Sequence, residues 1–270
     1  MPKLSNVFCL LLTAALVLVS SAALAHGPDA NSQTDDARSN QQSNHASAAK
    51  RASPGKGKAP HAELTAYKSD EVLGWSLLVH EELHDDESLY KEVRDELHHQ
   101  LFRIIKVVPA ETVALLKKVP VWIELRNPYS GNCQYHPNKQ WLIGNGYLGE
   151  KAKCVELSSA KGFLRSSQTS QPFVMLHELA HAYHDLHLGF DHEGIRACYD
   201  KAKASGSYDK VLHYSGRRVR AYAMVDHKEY FAEATEAYFG TNDHYPFVRA
   251  ELKEHDPQMY EMVKKVWGKK

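Results

Sequence analysis

Apolar and polar residues alternate along this chain with two periods, which predict helices in some segments and strands in others. The first helix has apolar residues every three or four positions, at Leu89, Val93, Leu97, Leu101 and Ile104. Residues 74–79 form a short apolar run and residues 120–125 alternate in character, so both segments predict strands. A further short helix is expected from Pro109, because proline suits a first helical turn.

Two later segments predict buried helices that nevertheless carry polar side chains. Residues 172–183 are mostly apolar but contain two histidines and a glutamate. Residues 226–239 are rich in alanine and aromatic residues, yet Glu229, Glu233 and Glu236 fall on one stripe, at positions i, i+4 and i+7. Asp226 can cap this second helix. Polar groups on buried helices are costly unless they have partners, so both segments need a polar counterpart.

The beginning of the chain differs in composition from the rest. Lys3, the apolar run at 7–19 and the small residues up to Ala25 predict a signal peptide over residues 1–25. The run is short for a membrane span, so no stable membrane insertion is expected after cleavage. Residues 26–60 are small and polar and predict a disordered linker. Residues 61–270 are the expected folded domain of a secreted, periplasmic or extracellular protein.

Charge and cysteine content refine this picture. The 33 basic and 33 acidic side chains balance, so the composition suggests neither a nucleic acid nor an anionic membrane as partner. Cleavage after Ala25 leaves three cysteines, and an exported chain favours a disulfide. Cys133 and Cys154 enclose a loop-rich stretch, and we predict a bridge between them. Cys198, in a predicted helix, is the expected free thiol.

The most specific chemical pattern is His177-Glu178-Leu179-Ala180-His181. In a helix, His177 and His181 lie one turn apart on one face and can both bind one metal ion. Glu178 lies beside them, where it can take a proton from a water molecule without binding the metal. A chain with 17 histidines also produces this motif by chance, so a third ligand is needed to support the interpretation.

Two residues compete for the position of third ligand. His187 lies six residues beyond His181, but the pattern that uses such a histidine needs a glycine turn where this chain has His184. A helix that continues past His181 directs residue 187 away from the metal. Glu229 is the alternative, because an anionic ligand on a buried helix would find its counter-charge at the metal. Glu233 is then expected to orient a ligand histidine, with Glu236 facing solvent or paired with a base.

The combination of His177–His181 with the later segment 229–234 resembles the catalytic domain of anthrax toxin lethal factor and its relatives. The similarity covers about residues 170–240. It implies an α+β, zincin-like metallopeptidase domain, in which a small mixed sheet accompanies the HExxH helix and a second helix with the third ligand. It also implies one Zn²⁺ bound by two histidines and Glu229, and it places Tyr222 facing the zinc.

The sequence therefore predicts an exported zinc metallopeptidase that hydrolyses a peptide or protein substrate, with Glu178 as general base and Tyr222 steadying the oxyanion or protonating the leaving amine. An extended substrate needs a free sheet edge, and the predicted strands at 120–125 and 154–157 are the two candidates. The alternative function is an exported zinc-binding or interaction protein with little or no hydrolytic activity. Glu178 argues against that alternative, because a purely structural zinc site has no use for a base.

Overall fold

The computed structural model describes residues 59–129 and 131–268. The signal peptide predicted at 1–25 and all but the last two residues of the predicted linker at 26–60 lie outside them. The strands are β1 Tyr67–Val72, β2 Trp75–His80, β3 Val121–Ile123, β4 Cys133–Tyr135, β5 Val155–Leu157, β6 Val211–Leu212 and β7 Arg218–Val219. The helices are α1 Glu81–Asp85, α2 Glu87–Val107, α3 Ala110–Leu116, α4 Lys139–Gly144, α5 Ala160–Thr169, α6 Val174–Tyr183, α7 Glu193–Ser205, α8 His227–Phe239, α9 Arg249–His255 and α10 Pro257–Trp267.

The main sheet has five strands in the order β1-β2-β3-β5-β4. The three central strands run parallel, whereas β1 and β4 pair antiparallel at the two edges. Strands β6 and β7 form a separate two-stranded hairpin. The chain is thus an α+β structure with a small mixed sheet, as predicted. Within the described residues, no helix has the length and apolar character needed to cross a membrane.

The elements predicted from apolar periodicity are present. Helix α2 buries the predicted apolar face, and α3 begins directly after Pro109. Strand β2 overlaps the predicted segment 74–79 and extends one residue beyond it, and β3 lies within the predicted segment 120–125. A continuous apolar core extends from Val72 on β1 to Trp267 on α10 and includes the buried sides of α6 and α8. This core packs α6 against α8, the two helices that were predicted to be buried despite their polar side chains.

The predicted disulfide is absent, and the sheet register explains why. Cys133, Cys154 and Cys198 are all free and buried. Cys133 lies opposite Leu157 in the β4–β5 ladder. The carbonyl of Cys154 instead accepts a hydrogen bond from the backbone N–H of His136, which lies three residues after Cys133, just beyond the end of β4. Three residues of strand span about 10 Å, and a disulfide needs Cα atoms within about 7 Å. The prediction of a Cys133–Cys154 bridge is therefore wrong.

Candidate metal centre

Helix α6 presents the two histidines of the motif from one face. Apart from Glu178, its other side chains are hydrophobic and buried, so packing fixes its position in the core. His177 is buried, and its Nε2 atom lies 3.1 Å from Nε2 of His181. Two ring nitrogens at this distance can both bind one metal ion.

Helix α8 supplies the third donor atom. The carboxylate of Asp226 accepts hydrogen bonds from the backbone N–H groups of Lys228 and Glu229, which starts the helix at His227. Glu229 is thereby fixed in the first turn, and its Oε2 atom lies 3.1 Å from Nε2 of His177 and 3.2 Å from Nε2 of His181. The structure therefore brings together all three residues predicted as ligands.

The three donor atoms fit a tetrahedral zinc ion. They form a nearly equilateral triangle with sides of 3.1, 3.1 and 3.2 Å. Zinc bonds of about 2.0–2.1 Å at tetrahedral angles require donor atoms about 3.3 Å apart. Two imidazole nitrogens and one carboxylate oxygen are also the donor types found in catalytic zinc sites, where three protein ligands leave a fourth position open.

The residue that orients His177 is Glu236, and the prediction of Glu233 is wrong. The Oε1 atom of Glu236 lies 2.6 Å from Nδ1 of His177, and Glu236 is buried rather than solvent-facing. An Nδ1–H bond to this carboxylate leaves the Nε2 lone pair of His177 for a metal. Glu233 instead accepts a hydrogen bond from the Asn242 side chain and lies near His244.

Burial and the neighbouring charges have opposite effects on the pKa values of Glu229 and His177. Burial alone would raise the pKa of Glu229, but the imidazoles of His181 and His177 outweigh it and hold that pKa well below its usual range. Burial alone would lower the pKa of His177, but the carboxylates of Glu236 and Glu229 raise it well above its usual range. A proton and a metal ion thus compete for His177, and metal binding there releases a proton.

Glu178 extends from α6 into the same pocket as the three donors. This pocket has a volume of about 360 Å³, and its walls include Tyr135, Trp141 and Phe190. The backbone N–H of Tyr135 on β4 donates a 2.7 Å hydrogen bond to Oε2 of Glu178. The general base predicted from the sequence is therefore held between the helix and the edge of the sheet.

Tyr222 also lines this pocket, together with Glu178 and Glu229. It begins a 3₁₀ turn, Tyr222–Met224, shortly before α8, and so does not lie in a strand. Burial and the nearby carboxylate of Glu229 raise the pKa of Tyr222 above its usual value. Its hydroxyl therefore keeps its proton at neutral pH and can donate a hydrogen bond.

His187 does not reach the donor triangle. The helix continues past His181 as a π-helical turn, His184–Leu188, and ends at Gly189, which has a φ of 80°. His187 is exposed and packs against the ring of Tyr183. The absence of a glycine at position 184 has the predicted effect, because the chain turns only after His187.

The sheet edge beside the pocket is β4, which the sequence did not predict. Strands β3 and β5, which contain the two candidate segments, both lie inside the sheet, so neither offers a free edge. Residues 133–135 line the pocket and pair with β5 on one side. Only the short alternation of a cysteine, a glutamine and a tyrosine marks this strand in the sequence, and three residues are too few for a secure prediction.

Two other groups of described residues have metal-binding side chains close together. They are His61, His80 and Glu124, and His213, Asp243 and His244. In the first, Glu124 already accepts hydrogen bonds from Lys151 and Tyr67. In the second, Nδ1 of His244 is 2.8 Å from the Asp243 carboxylate, while Nε2 of His213 lies 3.9 Å from that carboxylate. Neither has the compact, convergent donors of the His177 site.

No family model matches the chain, and no match was found among curated proteins or solved structures. What this site can do chemically therefore rests on its own geometry and donor types.

Proposed function

We propose that this protein is an exported zinc-dependent metallopeptidase with a zincin-like fold. The observation that carries the proposal is the donor triangle of His177, His181 and Glu229, with the unligated carboxylate of Glu178 in the same pocket. A structural zinc site is usually closed by four protein ligands, whereas three ligands beside a carboxylate suit a hydrolytic site. When bound, zinc supplies a Lewis acid that polarises a carbonyl and lowers the pKa of water to about 7.

The protein side chains would divide the remaining work. Glu178 takes a proton from the attacking water and delivers it to the leaving amine. The Tyr135 N–H bond to Glu178 keeps that carboxylate at the sheet edge while it does so. Tyr222, which holds its proton, donates a hydrogen bond to the oxyanion that develops on the peptide carbonyl. Glu236 fixes the ring orientation of His177 throughout.

Strand β4 would bind the substrate backbone. It lies at the edge of the sheet and lines the pocket that contains Glu178. An extended peptide can add to such an edge through main-chain hydrogen bonds, with side chains entering pockets on alternate sides. Trp141 and Phe190 in the wall favour a peptide with an apolar or aromatic side chain near the scissile bond.

Cleavage of a peptide library by the zinc-loaded protein tests this function. Wild type should cut extended peptides, and a chelator should abolish cutting. Glu178→Gln should retain zinc and lose at least about a hundredfold in rate, since general-base catalysis contributes about 10²–10⁴-fold. The matched control is Gln171→Glu, which places a carboxylate elsewhere in the pocket wall and should keep zinc and measurable activity.

The same samples separate the peptidase from the alternative function. If wild type holds one zinc ion and cuts no peptide, the protein is a zinc-binding or interaction protein and the peptidase proposal fails. Metal content checks the ligand set independently of activity. Glu229→Ala should lose most of the zinc and His187→Ala should keep it, while the reverse result would replace Glu229 by His187 as ligand.

A further inference from the structure

We infer that His136 is a substrate-contacting histidine, held by a buried charge network so that its ring meets the backbone of the bound peptide. This inference rests on the proposed peptidase function and extends it to a residue outside the HExxH motif and its second helix. It depends on the position of His136 in the pocket, the carboxylate that holds its ring, the buried ion pairs behind that carboxylate, and the second ring nitrogen, Nδ1.

The backbone of His136 is fixed at the end of the substrate-facing strand. Its N–H donates to the carbonyl of Cys154 at 3.0 Å, and its carbonyl accepts from the N–H of Lys153 at 2.6 Å. It follows directly after Tyr135, whose N–H binds Glu178. His136 lines the same pocket as the donor triangle and Glu178. A peptide added along β4 would therefore pass this residue.

The ring of His136 is held by a carboxylate. Its Nε2 atom lies 2.7 Å from Oε2 of Glu156, and Glu156 is fully buried on β5. The same carboxylate accepts hydrogen bonds from the side chains of Asn127, Gln134 and Lys151. Burial alone would raise the pKa of Glu156, but His136 and Lys151 outweigh it and lower that pKa. Glu156 is therefore an ionised acceptor, and His136 donates its Nε2 proton to it.

The network behind Glu156 is too costly to be explained by packing alone. Lys151 has no exposed surface and is bonded to both Glu124 and Glu156. Buried ion pairs are often no more stabilising than apolar residues of the same volume. Of the charged or imidazole side chains in this network, His136 is the one that lines the pocket. The network is thus a rigid support that ends at the substrate site.

The remaining ring nitrogen, Nδ1, determines what His136 can bind. With the Nε2 proton held by Glu156, Nδ1 offers a lone pair in the neutral ring and a proton in the charged ring. In the first form it accepts a hydrogen bond from a peptide N–H, and in the second it donates to a peptide carbonyl. Either partner belongs to the peptide backbone, so His136 is expected to affect substrate binding whatever the side chains of the peptide.

Inhibitor binding to the zinc-loaded protein tests this role without requiring turnover. The two probes are a tripeptide hydroxamate, which binds zinc and β4, and acetohydroxamate, which binds zinc only. His136→Ala should weaken the tripeptide probe about three- to tenfold, the effect of one hydrogen bond, and leave acetohydroxamate within twofold. His187→Ala, the same change on an exposed ring outside the pocket, should bind both probes as wild type does. Zinc content and melting temperature are measured for every variant.

Glu156→Gln tests the positioning role of the carboxylate. It should reduce the preference for the tripeptide probe, because a neutral amide holds the Nε2–H group of His136 less firmly than a carboxylate does. If His136→Ala fails to fold, His136→Phe replaces it and should show the same selective loss, because phenylalanine keeps a ring but has no hydrogen-bonding atom.

The outcomes are distinct. If His136→Ala keeps the full preference of wild type for the tripeptide probe, the inference is overturned while the peptidase proposal stands. If both probes weaken equally and zinc is lost, His136 only supports the metal site, which also overturns the inference. If wild type itself binds the tripeptide probe no better than acetohydroxamate and cuts no peptide, the proposed function has failed.

Discussion

The three glutamates on one stripe of α8 make three different sets of contacts. Glu229 faces both ligand histidines, Glu236 holds Nδ1 of His177, and Glu233 faces Asn242 and His244. Loss of an orienting partner typically lowers metal affinity 10–100-fold. We therefore expect Glu236→Gln to weaken zinc binding by about that factor, measured by competition with a chromogenic chelator.

Glu233→Gln is the matched control for this prediction, since it makes the same change one turn earlier on the same helix. It should bind zinc within about threefold of wild type. Equal losses in the two variants would show that the stripe acts only through its overall negative charge.

The sequence could not separate these three glutamates. Positions i, i+4 and i+7 lie within about 60° of one another on a helix, so periodicity assigns them all to one face. Which of them meets His177 depends on the crossing of α6 and α8 and on side-chain rotamers. Both are set by packing around residues such as Phe231 and Leu176, which are distant in sequence.

The pKa of His244 makes a further prediction at the level of single residues. Burial alone would lower it, but the carboxylates of Glu233 and Asp243 raise it to about 9. A histidine whose folded pKa exceeds its unfolded value of about 6.5 adds stability below that pH, and the contribution is lost as pH rises through 9. Urea unfolding at pH 6 and pH 9.5 should show a loss for wild type that includes up to about 3 kcal/mol from this group.

His244→Gln should lack that part of the loss, and the exposed His187→Gln should behave as wild type. A loss of the same size in His244→Gln and wild type would contradict the assignment.

Secondary structure elements with a strong sequence signal were predicted well, and the two edge strands of the main sheet were not. Helix α2 has five apolar residues at three- or four-residue spacing, and α8 has both a cap and a buried face. Strand β1 is mostly polar because it lies at a sheet edge, and β4 has only three residues. Strand β1 is defined by its hairpin with β2, and β4 by its pairing with β5, and neither strand has a clear hydrophobic period in the sequence.

The cap of α8 is the local feature that places Glu229, the proposed third ligand. Asp226 accepts from the N–H groups of Lys228 and Glu229, so it fixes the turn from which the Glu229 side chain leaves. Asp226→Ala should lower the free energy of unfolding by about 1 kcal/mol and also weaken zinc binding. Thermal unfolding and zinc titration measure the two effects.

Asp226→Asn is the control, because asparagine caps helices as well as aspartate does. Asp226→Asn should have the stability and the zinc affinity of wild type. If Asp226→Ala loses stability but binds zinc as wild type does, the cap does not position Glu229.

At the scale of the whole molecule, the arrangement of the cysteines shows a limit of sequence-based inference. Composition and the predicted export favour a disulfide, and the loop-rich character of residues 133–154 favours its location. The register of β4 against β5 separates the two cysteines, and they pack into different apolar clusters. Register depends on contacts between segments that are distant in sequence, such as β3 with β5, so local composition could not reveal it.

The proposed metal site brings together two helices that are far apart in the sequence. His181 on α6 and Glu229 on α8 are separated by α7 and the β6–β7 hairpin, and zinc bound to both would tie the two helices together. A ligand that binds only the folded state at a hundred times its Kd stabilises that state by about 2.7 kcal/mol. Zinc at that concentration should therefore raise the free energy of unfolding of the metal-free protein by about this amount, and a chelator should reverse it. The gain should persist in His187→Ala and disappear in Glu229→Ala, because only the second variant removes the donor on α8. An equal gain in both variants would mean that zinc stabilises the protein from a different site.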